Sequence, residues 1–270
     1  MNVRVRTIIC TVMVILGSPL QSVLGAFSRQ EIPYIVWKAK GFFLNNALVY
    51  NPAGMESVHH LIAGAGYSNL YGVRSLQRTN GYVGFQSKGI HWGAGVGHYG
   101  NPAYSEISLN LVGSKRFTSD GIIGVGIHGY QLQIPEYGQA RSLGIDLGLL
   151  WKVTPGVQWQ FAYTNLNQPR LGQSGELLPQ QAMTGFQFDP VEKIRAEIFL
   201  IQNLRYALRY GVGVGYAPFS WGAVTANMIT EPMRGSYGIT IHWKSIRAYY
   251  LLITHSVLPY THYIGMVFTL

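Results

Sequence analysis

The sequence predicts an all-β protein: a transmembrane antiparallel up-and-down β-barrel of about 14 strands with a short N-terminal plug segment. Three observations carry this. Roughly fourteen short segments alternate apolar with polar or glycine residues as far as Leu270, the apolar face is rich in aromatics, and the first twenty-six residues resemble an export leader. Val157-Gln158-Trp159-Gln160-Phe161-Ala162-Tyr163-Thr164 shows the pattern, with Val, Trp, Phe and Tyr on one face and Gln, Gln, Ala and Thr on the other. Successive strand side chains point to opposite faces, so a two-residue period describes a sheet with one greasy and one polar side. A soluble sandwich shares that period; the aromatic apolar face and the leader favour the membrane barrel.

Residues 1–26 have the parts of a secretory signal. Arg4 and Arg6 form a basic start, Thr7 to Leu16 is apolar, and Gly25 and Ala26 offer small residues for cleavage. The apolar stretch is too short to cross a bilayer as a helix. The one cysteine, Cys10, lies inside this leader, which excludes disulfide scaffolds, thiol enzymes and thiolate metal sites from the mature chain. No cofactor is expected.

Residues 27–57 are read as a plug or periplasmic segment, and 58–270 as the barrel. Strands are expected near 58–68, 80–87, 90–99, 104–115, 122–131, 142–152, 157–166, 182–189, 194–202, 207–217, 221–228, 235–244, 246–255 and 261–270. Most have the roughly 9–11 residues that a tilted strand needs to cross a membrane. Composition agrees: 48% of residues are apolar and only 11% charged, where a soluble domain carries about a quarter. Every other residue of a barrel faces lipid, which reconciles the two figures.

The connections alternate in length. Ser87-Lys88-Gly89, Thr154-Pro155-Gly156 and Lys244-Ser245 are short, whereas 69–79, 132–141 and 167–181 are long. Bacterial outer-membrane barrels have short periplasmic turns and longer external loops, and an even strand count places both termini in the periplasm. The final strand puts Ile264, Met266, Phe268 and Leu270 on the lipid face, like the closing strand that such barrels present for insertion.

Losing Arg4 and Arg6 lowers the net charge from +9 to +7. The remaining Lys and Arg are dispersed, with no basic stripe, so no nucleic-acid partner is implied. Outer-membrane lipid is the expected surrounding; other outer-membrane proteins and a hydrophobic small molecule are the candidate partners.

Residues able to carry chemistry fall on the polar face. Glu106, Asp146, Arg195, Glu197 and His242 are the candidate lumen-lining residues, expected to neutralise the interior by cross-strand pairing. Gly95, Gly97 and Gly100 match GxGxxG, but a dinucleotide site needs a helix next, and His98-Tyr99-Gly100-Asn101-Pro102 is a strand end entering a turn. Those glycines, with Gly93, Gly124, Gly126, Gly211, Gly213 and Gly215, are read as lumenal positions that allow a plug to approach or the barrel to curve. Eight histidines are scattered over the strands. His59 and His60, adjacent on a strand, point to opposite faces and suit chelation poorly. A hydrolase would need a Ser–His pair; Ser108 or Ser236 could be drafted, without a local motif. Tyr67, Tyr71, Tyr99, Tyr104, Trp151, Tyr216, Trp221 and Trp243 lie near strand ends and fit an interfacial girdle.

Asn51-Pro52-Ala53-Gly54 precedes the first strand, and this NPAG element resembles the one that ends the N-terminal segment of FadL-type barrels and their PorV/PorQ-like relatives. Diffuse similarities at 92–96, 104–106, 209–218, 231–238 and 255–270 extend the likeness over about residues 45–270. The resemblance implies a fourteen-stranded barrel plugged by its N-terminal segment. It further implies uptake of hydrophobic compounds, or an accessory place in type IX secretion. Residues 27–50 are shorter than that family's hatch, and the external loops are shorter too. A non-enzymatic transporter of small hydrophobic or amphipathic solutes is therefore the expected function. An accessory subunit of a membrane complex is the alternative, and a lipid-modifying enzyme comes third.

Overall fold

The computed structural model describes residues 26–27, 47–173, 175–203 and 207–270. The expected leader, Ala26 excepted, lies outside them, as do residues 28–46 of the expected plug segment. Sixteen strands occur among the described residues. They are β1 (Ile62–Asn69), β2 (Gln77–Ser87), β3 (Ile90–Asn101), β4 (Tyr104–Arg116), β5 (Gly121–Ile134), β6 (Gly138–Thr154), β7 (Val157–Thr164), β8 (Arg170–Leu171), β9 (Glu176–Leu177), β10 (Gln181–Val191), β11 (Ile194–Asn203), β12 (Arg209–Phe219), β13 (Gly222–Ile229), β14 (Arg234–Trp243), β15 (Ile246–Ile253) and β16 (Thr261–Thr269). All but β8 and β9 close into one antiparallel barrel, each beside its sequence neighbour, with β7 next to β10 and β1 sealing against β16. The seal runs from Ile62 opposite Thr269 to Asn69 opposite His262 without a break. Closure leaves no strand edge, so every backbone group of the wall has a partner away from water.

The alternation read from sequence is the alternation of the wall. On β5, Ile123, Val125 and Ile127 are exposed while Ile122, Gly124, Gly126 and His128 are buried. On β16, Ile264, Met266 and Phe268 face out while Tyr263, Gly265 and Val267 face in. Both chain ends of the barrel, Ile62 and Thr269, share one rim. Every connection on that rim is a tight turn, Lys88-Gly89 among them with both residues at positive φ (51° and 74°) as a two-residue hairpin turn requires. The opposite rim mixes short connections at 102–103 and 135–137 with the longer ones 70–76, 165–180 and 254–260.

Three expectations need correction. The first strand begins at Ile62 rather than 58, because Val58 caps a 3-10 turn over Pro52–Ser57. His59 and His60 are consequently exposed residues ahead of the strand, not opposite faces of it. The long connection placed at 132–141 is mostly strand: β5 and β6 stay paired out to Ile134 opposite Gly138. The long connection expected at 167–181 is present as 165–180, and it carries β8 paired to β9 through Arg170–Leu177 and Leu171–Glu176.

Candidate functional site

The lumen is occupied by the chain's own N-terminal residues. Asn51 opens the 3-10 turn: its side-chain oxygen accepts from Ala53 N at 3.1 Å, and Pro52 fills the first turn position, where the missing N–H costs nothing. Ala53 and Met55 are fully buried. What admits the turn is the absence of side chains on the wall. A Cβ at Gly124 would overlap the backbone at Pro52 and Ala53, one at Gly148 would overlap the Asn51 amide oxygen, and one at Gly93 would meet Met55 Sδ at 2.8 Å. Arg116 on β4 donates to Glu56 in an ion pair, and His91 Nδ1 lies 2.7 Å from Val58 O. The NPAG residues are thus seated on β3–β6, near the short-turn rim.

Two apolar clusters hold the residues on either side of this turn. Leu48, Met55 and Val58 pack with Tyr82, Tyr249, Leu251 and Tyr263, and Tyr50 packs with Met183, Phe199 and Ile201 across the lumen. Removing such side chains from water stabilises by about 1.5–3 kcal/mol each. Phe27 belongs to a third cluster at the other mouth, against Tyr130, Leu171 and Leu178. Phe27 thus lies near the long-loop rim, and the Pro52–Ser57 turn near the short-turn rim.

Between those two levels lies a cavity of about 90 Å³. Phe27 bounds it on one side and Leu48 and Val49 on the other; its walls come from β2–β5 and β16. Tyr82, Tyr130 and Tyr263 supply apolar rings with polar tips, and Tyr263 Oη donates to Asn80 Oδ1 at 2.8 Å. Thr79, Gly81, Val96 and His98, on the outward-facing register of β2 and β3, also border it. The wall is thin there because Gly95 and Gly97 carry no side chain.

The candidate lumen-lining residues fall in four places. Glu106 borders the cavity, and its carboxylate accepts from Tyr104 Oη at 2.6 Å. Asp146 lies 2.9 Å from His128 Nε2, both side chains being 1% exposed, and its other oxygen accepts from Asn165 N at 2.8 Å. Asn110 Oδ1 sits 2.5 Å from His128 Nδ1, and Tyr130 Oη donates to Asn165 Oδ1. This network, missed in the sequence because its members lie on four separate elements, ties the 165–180 connection to the interior. Arg195 and Glu197 lie on the far wall. Arg195 makes a two-pronged pair with Asp189 at 2.6 Å, and Glu197 accepts from Gln160 Nε2 at 2.5 Å. His242 stands apart, at the short-turn rim, 2.6 Å from the Lys244 carbonyl. Of the two serines able to serve a hydrolase, Ser108 lines the cavity and Ser236 Oγ accepts from an amide, Asn227 Nδ2, at 3.1 Å.

No family model matches the sequence, and no curated protein matches it. Solved structures do match the fold. The CymD monoaromatic hydrocarbon channel superposes with a TM-score of 0.63 at 9% identity, covering 88% of this chain and 95% of that one. The Ralstonia pickettii toluene transporter TbuX gives 0.63 at 11% identity, covering 83% and 93%. The Pseudomonas putida toluene transporter TodX gives 0.59 at 11%, covering 93% and 98%, and a Pseudomonas aeruginosa FadL homologue gives 0.54. The chain has the FadL-type fold, a closed fourteen-stranded antiparallel barrel.

Proposed function

We propose that the chain is a non-enzymatic outer-membrane barrel that passes small hydrophobic or amphipathic solutes. Residues 1–26 would be removed as a leader, 27–57 would act as the plug, and 58–270 would form the wall, with the 165–180 side facing outward. One observation carries the reading: the N-terminal residues are lodged in the lumen against wall glycines, and an aromatic-lined cavity remains beside them. A plugged lumen suits a solute that moves from site to site, whereas an ion or sugar pore would need continuous water. The transport of hydrocarbons named for the matched structures supports the same class. The accessory-subunit alternative rests on the sequence resemblance alone.

The test is uptake by the full-length mature chain in liposomes. Toluene should enter faster than into protein-free vesicles, with little leakage of sugars. Deleting 27–57 should raise sugar leakage severalfold. Unchanged leakage would rule out the plug, and toluene entry equal to that of empty vesicles would rule out transport.

A further inference from the structure

Resting on the transport reading, we propose that the cavity recognises a small carboxylate, an arene carboxylate or short-chain acid, through Arg78. Arg78 lies on β2 on the lumenal register, opposite Tyr99 on β3, and its guanidinium sits over the Tyr99 ring, 5.2 Å from the centroid. Its Nη1 is buried and has no hydrogen-bond partner among the described residues. No carboxylate among those residues pairs with it: the carboxylates of Glu56, Asp146 and Asp189 lie against Arg116, His128 and Arg195.

A buried donor left unmade forfeits its hydration, and a guanidinium cannot escape by losing its proton. The interior therefore holds a half-buried cation whose sequestered Nη1 an incoming acceptor would satisfy. A planar carboxylate matches the guanidinium fork better than any neutral acceptor. Phe27, Leu48, Tyr82 and Tyr130 then offer apolar surface to the rest of the molecule. The 90 Å³ of space equals roughly six to nine water-sized volumes at about 10–15 Å³ each, room for one ring but not for a long chain. Glu106 lies two strands away, on the order of 10 Å at the usual strand spacing, with its carboxylate bonded to Tyr104. It would repel a charge at that end, so the carboxylate points to Arg78 and the ring away from it. A plain hydrocarbon would gain nothing from Arg78.

Binding of benzoate and toluene to the full mature barrel in nanodiscs, measured by calorimetry, tests this. Arg78→Gln should weaken benzoate about tenfold or more, the usual range for a lost charge-assisted hydrogen bond, and leave toluene within about twofold. Glu106→Gln should raise the benzoate-to-toluene affinity ratio severalfold, and a lowered ratio would overturn the assigned orientation. Toluene binding without benzoate binding overturns the carboxylate site but leaves transport standing, as does an equal loss of both ligands in Arg78→Gln. Failure of the wild type to bind either one overturns both readings.

Discussion

A methyl group added at Gly124 would meet the backbone of Pro52 and Ala53, which no side-chain rotation can relieve. Gly129, five residues along the same strand, faces outward, and a Cβ there would touch only Leu109 Cβ at 3.7 Å, an ordinary contact. The pair separates a glycine required by the plug from one that is merely tolerated. Gly124→Ala should cost about 1–3 kcal/mol, as overpacking does, whereas Gly129→Ala should stay within about 0.5 kcal/mol. Urea unfolding in lipid vesicles reads both. The Gly124 variant should also leak small solutes, since its cheapest relaxation is to push the turn out of place. Equal, small effects at the two sites would mean that the Asn51–Gly54 turn is not seated on β5 in the membrane. The glycines were visible in the sequence as a lumenal row. Which of them met the plug was not, because that depends on how residues far apart in the chain are superposed.

The element whose state the sequence hid best is the connection between β7 and β10. Its β8–β9 pair is two residues long on each side, too short for any periodicity to register. Its attachment to the interior is long-range as well. Asn165, at φ 55°, lends its N–H to Asp146 and its side-chain amide to the Pro179 carbonyl at 2.7 Å, while Gln180 Nε2 donates to the Asn165 carbonyl at 2.9 Å. Asp146 was legible as a lumenal charge, but its pairing with His128 on the neighbouring strand rests on register. Removing Asp146 strips the Asn165 N–H of its acceptor, and a buried donor left unmade typically costs about 1–3 kcal/mol. Asp146→Ala should release this connection locally before it unfolds the barrel. Hydrogen exchange at 165–180 should rise by at least tenfold while β14–β16 amides stay protected. Uniform acceleration across all strands would instead make the pair a global stabiliser, and no change would leave the network without a holding role.

For the molecule as a whole, the sequence carried the fold because the wall obeys one rule repeated fourteen times, and a period of two survives errors of several residues at strand ends. The lumen obeys no such rule, so its contents had to come from the structure. The outer surface makes a further claim, one about depth. Phe219 and Trp221 stack with centroids 5.0 Å apart beside the tight turn between β12 and β13, and Trp243, 67% exposed, has Lys244 over its ring at 5.2 Å. Trp151 and Phe117 extend this aromatic collar around the same rim. Rings of this kind favour the membrane–water boundary. Leu109, 58% exposed, lies well inside β4, away from both rims.

A lysine at the bilayer midplane costs about 2–4 kcal/mol on a barrel's lipid face, falling to about 0–1 kcal/mol near the interface. Leu109→Lys should therefore destabilise the barrel by at least 2 kcal/mol on that scale, and Trp243→Lys by much less. The difference should shrink in thinner bilayers, where mid-strand positions lie nearer to water. In a water-soluble barrel both exposed substitutions would be almost neutral, and lipid thickness would not matter. Depth dependence in vesicles, absent in detergent-free buffer controls, is thus the measurement that decides whether this apolar exterior is a lipid-facing surface.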